Sequence, residues 1–163
     1  MPTESASTVV FTQDCKQVLL LKRADFRVWV LPGGMIEKDE SPSHAAVRET
    51  REETGYEVEI DRLIGKYWNP RTRRGSNLQH VYEAHVTGGA PIRNGPETIA
   101  VSFFPIGRLP SPMLGWNGPI IADALARFPN IVERTIRIPT WQVILTRVGL
   151  EIRDWYNRHI LKR

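Results

Sequence analysis

The chain has 163 residues, 41% hydrophobic and 25% charged, which suits one globular domain with a sizeable core and excludes a second domain of full size. It holds no apolar run of about 18 residues, and its start, MPTESASTVVF, has no basic stretch leading into an apolar one, so a soluble cytoplasmic protein is expected. The formal net charge of +4 sits wholly in the tail: residues 1–132 carry 15 basic and 15 acidic side chains, and 133–163 carry 7 and 3. An excess that modest serves solubility, and no nucleic-acid or membrane partner is expected from it.

In chain order, TVVF (8–11) and QVLLL (17–21) are β-branched and aliphatic runs around TQDCK, which reads as a hairpin. The single cysteine, Cys15, rules out an internal disulfide and has no zinc-type neighbours, so it is expected as a small apolar filler in or near a strand. VWVL (28–31) reads as a strand stopped by Pro32, Gly33 and Gly34. A helix is expected over 42–54, with Ser41 as N-cap, Pro42 in the first turn and Gly55 at the left-handed exit. YEVEI (56–60) alternates strictly, as a strand with one buried face does.

KYWNPRTRRGSN (66–77) reads as a loop. Its Tyr67 and Trp68 have rings suited to stacking on a base, and its Arg71, Arg73 and Arg74 have forks suited to phosphate. Strands follow at 78–86 and 99–106, then a helix over 118–128 whose stripe is Ile120, Ile121, Ala124, Leu125 and Phe128, ended by Pro129. Residues 140–161 space Trp141, Ile144, Leu145, Val148, Ile152, Trp155 and Tyr156 as an amphipathic helix, to be buried on its own domain or in a homodimer. Strands on both sides of the first helix argue for an α/β fold, a mixed sheet with helices packed on it. The organisation expected is a domain over 1–132 and a basic helical extension over 133–163.

The helix at 42–54 raises a chemical question. Glu49 lies three and four residues from Glu52 and Glu53, so these carboxylates share one side of the helix and repel. A divalent cation turns that repulsion into attraction, and an all-oxygen donor set suits Mg²⁺ or Mn²⁺ better than zinc or copper.

Residues Gly34 to Tyr56 follow a fixed pattern: a glycine, five residues, a glutamate, seven residues, then Arg-Glu-x-x-Glu-Glu-x-Gly. Gly34, Glu40, Arg48, Glu49, Glu52, Glu53 and Gly55 fill it, and this segment resembles the signature of the Nudix hydrolases. Leu31-Pro32-Gly33 also fits the family's habit, while Thr50 and Tyr56 stand where the family usually has an aliphatic residue.

The resemblance implies an α/β/α sandwich around a mixed sheet and a metal-dependent pyrophosphohydrolase acting on a nucleoside diphosphate linked to another moiety. Glu49 and Glu53 would be the main metal carboxylates, Glu52 a further ligand or a partner of Arg48, and the Gly33 carbonyl would complete the site. Glu40 would brace the loop or bind metal through water. Glu49 or Glu97 would accept the proton from the attacking water. Arg23, after a strand and before the signature, is placed as phosphate contacts are in relatives. Pro70, 15 residues past Gly55, resembles a marker of ADP-ribose-type members. ADP-ribose or a nucleotide sugar therefore leads and a nucleoside triphosphate follows. A dinucleoside polyphosphate, capped RNA, or a non-hydrolytic nucleotide-sensing module stay open.

Overall fold

The computed structural model describes residues 3–72, 75–92, 95 and 97–136. The helix expected over 140–161, with its packing or dimer role, lies outside the described residues. The elements are β1 (Thr3–Val10), β2 (Gln17–Arg23), β3 (Trp29–Val30), β4 (Gly33–Met35), α1 (Pro42–Thr54), β5 (Tyr56–Thr72), β6 (Gly75–Gly89), β7 (Thr98–Pro105), α2 (Asn117–Ala126) and β8 (Val132–Thr135). A five-stranded mixed sheet runs β4-β1-β6-β5-β8, and a three-stranded antiparallel one runs β3-β2-β7.

The hairpin expected over 8–21 does not form as such. Across this turn lie the Phe11–Val18 bridge, the Thr12 N–H to Gln17 carbonyl bond and the Gln17 N–H to Thr12 hydroxyl bond. Beyond them β1 pairs with β4 and β6, and β2 pairs with β3 and β7. The reason is burial: Val9 and Val10, and Val18 through Leu21, are fully buried, so each strand needs neighbours on both edges and cover on both faces. Cys15 is exposed in the connecting turn at φ 53°, not a filler.

On β1, Ala6, Thr8 and Val10 face α1, while Ser7, Val9 and Phe11 point to the other side. There Val9 meets Val81, Tyr67 and the Ile120, Ile121 and Ala124 face of α2. The result is the expected α/β/α sandwich around mixed sheet. α1 has the expected bounds and caps: the Ser41 hydroxyl accepts from the His44 N–H, and Gly55, at φ 81°, donates its N–H to the Arg51 carbonyl.

Two expectations shift. The described part of 66–77 is strand and not loop, because β5 runs 17 residues to Thr72 and pairs through several register shifts with β6, which begins at Gly75. A polar, proline-bearing sequence is carried as strand by ladder bonds to β6, which a local reading cannot see. α2 ends earlier than expected, with Arg127 in the left-handed region at φ 46°, so Phe128 leaves the stripe and is 47% exposed, and Leu125 sits at its rim, 39% exposed.

α1 is mostly polar and packs through small side chains, Ala45 and Ala46 against Ala6. Thr50, fully buried, makes the closest polar stitch: its hydroxyl donates to the Ala46 carbonyl at 2.7 Å and accepts from Thr8 on β1 at 2.7 Å. Tyr56 packs its ring edge-on against Phe103. Thr50→Val strands the buried Thr8 hydroxyl and is expected to cost about 1–3 kcal/mol in urea unfolding, most of it recovered in the Thr8→Val, Thr50→Val double variant.

Candidate active site

β1 and α1 hold the glycine turn and the carboxylates in contact. Ser7 pairs with Gly33, and the Thr8 N–H donates to the Pro32 carbonyl at 3.0 Å, so β1 carries the turn. From α1, Glu53 is buried and accepts the Gly33 N–H at 2.8 Å. Burial is the main cause that raises the Glu53 carboxyl from its ordinary 4.5 to about 7, with the Glu49 and Glu97 charges adding and the Gly33 bond and Arg23 opposing. A side chain on Gly33 would strike Ser7, and one on Gly34 would strike the Glu49 carboxylate. The double glycine is thus a steric requirement of this approach.

Arg48 is the hub of the remaining acids. Its guanidinium donates to both Glu40 oxygens at 2.9 Å each, to Glu49 at 2.9 Å, to Glu52 at 3.2 Å and to the Met35 carbonyl at 3.1 Å. Its acidic partners, Glu40 first, raise the Arg48 pKa, and Arg48 in turn pulls Glu40 down to about 2. Glu40 also accepts the Glu37 N–H, bracing the loop ahead of α1. Desolvation still leaves Glu49 above its ordinary value, whereas Glu52 has a 59% exposed side chain and only Arg48 as a bonded partner.

Arg23, at the end of β2, binds Asp25 through two bonds of 2.9 and 2.7 Å, which raise its pKa; the Glu53 and Glu97 charges act in the same direction. It lines a cavity of about 350 Å³ with Ser7, Gly33, Gln79, Phe26 and Trp116 among its walls. Glu97 is exposed, and its backbone carbonyl accepts the Ala24 N–H at 2.8 Å, which fixes it beside the end of β2.

The fold brings Arg23, Gly33, Glu53 and Glu97 near one another, but Trp68 does not join them. Tyr67 pairs with Gln79, a wall of the Arg23 cavity, so the next residue along the strand points to the opposite face. Trp68 lines a separate pocket of about 370 Å³ with Lys66, Leu78, Glu133, Arg134 and Thr135. Arg71 is placed on β5 by its backbone alone, and Arg73 and Arg74 lie outside the described residues. Ser7, Phe26, Gln79 and Trp116 were not singled out from the sequence. Each comes from a different element, and only the alternation of β1 and β6 hints that Ser7 and Gln79 share a face.

The donors gathered here are carboxylate and carbonyl oxygens beside a backbone cradle that a Cβ would fill, and that chemistry fits a hard divalent cation. Among the described residues no three acidic or histidine side chains already converge as a metal cage, because Arg48 stands amid Glu40, Glu49 and Glu52 and Glu53 turns to Gly33.

A family model for the NUDIX domain matches residues 1–124. The chain belongs to the Nudix hydrolase family. A Nudix hydrolase acts on phosphoric anhydrides, and the family generally uses divalent metals. A Bacillus subtilis (strain 168) protein with the provisional description 8-oxo-dGTP diphosphatase is 39% identical over 110 residues, 68% of this chain and 71% of that one. An ADP-ribose pyrophosphatase of Methanocaldococcus jannaschii is 36% identical over 98 residues, 58% of this chain and 57% of that one. The crystal structure of an ADP-ribose pyrophosphatase from Streptococcus suis 89-1591 superposes with a TM-score of 0.65 at 26% identity, covering 83% of this Nudix chain and 100% of the other. No helix among the described residues is long and apolar enough to cross a membrane.

Glu53 gives a signed pH prediction. Its folded value lies above the unfolded one, so it favours the fold below about pH 4.5 and that contribution is lost as pH rises through about 7. Glu40 acts in the other window, stabilising above 4.5 and losing effect as pH falls toward 2. In EDTA, urea-unfolding stability is expected to decline between about pH 4.5 and 7, and Glu53→Gln to flatten that decline. An unchanged slope in the variant would contradict the assignment.

Proposed function

We propose that the protein is a divalent-cation-dependent pyrophosphohydrolase that cleaves the anhydride of a nucleoside diphosphate linked to another moiety, with ADP-ribose or a nucleotide sugar preferred. One observation carries the reading: Gly33 belongs both to the carboxylate site, through its bond to Glu53, and to the cavity walled by Arg23 and Trp116. A diphosphate seated at Gly33 can therefore reach the acids while its nucleoside part occupies the cavity.

Glu49 and Glu53 would hold Mg²⁺ or Mn²⁺ as the main carboxylates, with Glu52, the Gly33 carbonyl and, through water, Glu40 completing the set. The bound cation would supply a lowered water pKa and neutralisation of charge on the diphosphate. The chain's own residues do the rest. Arg23, oriented by Asp25, faces the phosphates, and Arg48 keeps Glu40, Glu49 and Glu52 from splaying apart. Glu49 is the first choice to take the proton from water, and Glu97, beside Arg23, the second.

The archaeal relative and the streptococcal structure are both described as ADP-ribose pyrophosphatases, which supports the preferred substrate. The Bacillus relative supports a second reading, a nucleoside triphosphate.

The deciding experiment incubates the protein with ADP-ribose, a UDP-sugar, dGTP and 8-oxo-dGTP in Mg²⁺ or Mn²⁺ and identifies products by mass. AMP and ribose 5-phosphate are expected from ADP-ribose; pyrophosphate released from a triphosphate would move the assignment to the second reading. Nucleotide binding without any turnover would make the protein a sensing module. Glu53→Gln and Glu49→Gln are each expected to lower kcat by roughly 10²–10⁴. Glu97→Gln should leave the acidic limb of the kcat profile in place if Glu49 is the base, and remove it if Glu97 is.

A further inference from the structure

The family match ends at residue 124, yet the described residues beyond it, to Ile136, are built into the fold. β8 pairs in parallel with β5 over Gly65–Trp68, and the Ile136 N–H donates to the Trp68 carbonyl at 2.7 Å. From β8, Arg134 reaches Asp123 on α2 at 2.9 Å. Asp123 is only 4% exposed, and its second oxygen accepts the hydroxyl of the buried Tyr67 at 3.0 Å. Close by, Arg62 donates to the Ala124 carbonyl at 2.8 Å and pairs with the buried Glu83, which also takes Arg127 at 3.1 Å. The C-terminal half of α2 is thus fastened to β5, β6 and β8 by polar contacts.

The other end of α2 faces the cavity. Leu114 and Trp116, just ahead of the helix, line it together with Arg23 and Gly33. That wall is tied to β3 on its far side, where Trp29 donates to the Pro112 carbonyl at 2.9 Å and accepts from the Leu114 N–H at 3.2 Å. A helix of ten residues moves as a rod about 15 Å long, so a shift at Asp123 is delivered to Trp116, seven residues away. A buried carboxylate is costly unless paired, and its directional bonds select one seat for the helix where apolar contacts would allow it to slide.

We propose that Asp123 and Arg134 are positioning residues for substrate binding: their pair fixes α2 and, through it, the Leu114–Trp116 wall. β8 then contributes to nucleotide affinity without touching the nucleotide. This rests on the reading of the Arg23 cavity as the substrate pocket.

The test is steady-state kinetics on the full chain with the best substrate of the panel, alongside thermal unfolding. Arg134→Gln, at a position whose side chain is 52% exposed, is expected to raise KM between about two- and thirty-fold while kcat stays within about twofold. The dependence on metal concentration should not change, and Arg134→Lys should recover most of the lost affinity. Asp123→Asn should move KM the same way; if it fails to fold, Arg134→Gln decides alone. A folded Arg134→Gln protein with wild-type KM, or with kcat lowered and KM intact, overturns the proposal, because a purely structural tie would lower the melting temperature alone. If the wild type binds nucleotide without turnover, dissociation constants from calorimetry replace KM in the same comparison. A wild type that neither binds nor hydrolyses any nucleotide of the panel overturns the pocket reading itself, and this proposal with it.

Discussion

Glu40, Glu49, Glu52 and Glu53 stand on one loop-and-helix unit, and the site depends on how their mutual repulsion is contained. Two groups do this. Arg48 spreads a single guanidinium over three of the carboxylates, and the Gly33 N–H takes the fourth in a buried setting. The division is chemically unequal: Glu40 is held well below its ordinary pKa and Glu53 well above. One acid is locked as an anion that braces the loop, and the other is an anion only at a cost that a bound divalent cation would offset.

That containment requires α1 to lie close to β1, and its side chains are chosen for approach more than for apolar area. Ala45 and Ala46 let the helix settle onto Ala6, and the Thr8–Thr50 bond fixes its height. Because β1 also pairs with β4 and bonds Pro32, a displacement of α1 changes the distance from Glu53 to Gly33 directly. The hydroxyl of Thr50, where the family usually has an aliphatic side chain, is fully satisfied and serves the same packing.

The acid cluster and the cavity meet at Gly33 but are supported from different sides. α1 holds the acids; β2, β3, β6 and the segment leading into α2 supply most of the cavity, and β1 serves both, through Ala6 under α1 and Ser7 in the cavity wall. The proposed substrate, with a nucleoside at one end and an anhydride at the other, would suit this separation, its anhydride toward the acids and its nucleoside in the cavity. The polar ties from α2 to β8 reach only the second support, so they are expected to act on affinity and not on turnover.

The bounds and caps of α1, the alternation of β6, the acids and their fit to the Nudix pattern are local properties, set by spacings within about two turns of helix or a few residues of strand, and the sequence alone determined them. Arg23, singled out by its likeness to the phosphate contacts of relatives, lies in the cavity wall. Only the tertiary structure decided that β1 and β2 part into two sheets, that 66–72 continues as strand, and that Trp68 faces away from Arg23. It also decided that Phe26, Gln79 and Trp116 share one cavity, and that Asp123 and Arg134 are paired. These outcomes depend on pairings between residues 11 to 72 positions apart, such as Asp123 with Arg134 and Ser7 with Gln79, and on fully buried strands whose partners are chosen by the whole core. No local pattern encodes such a partner, because its free energy exists only once the other element is in place.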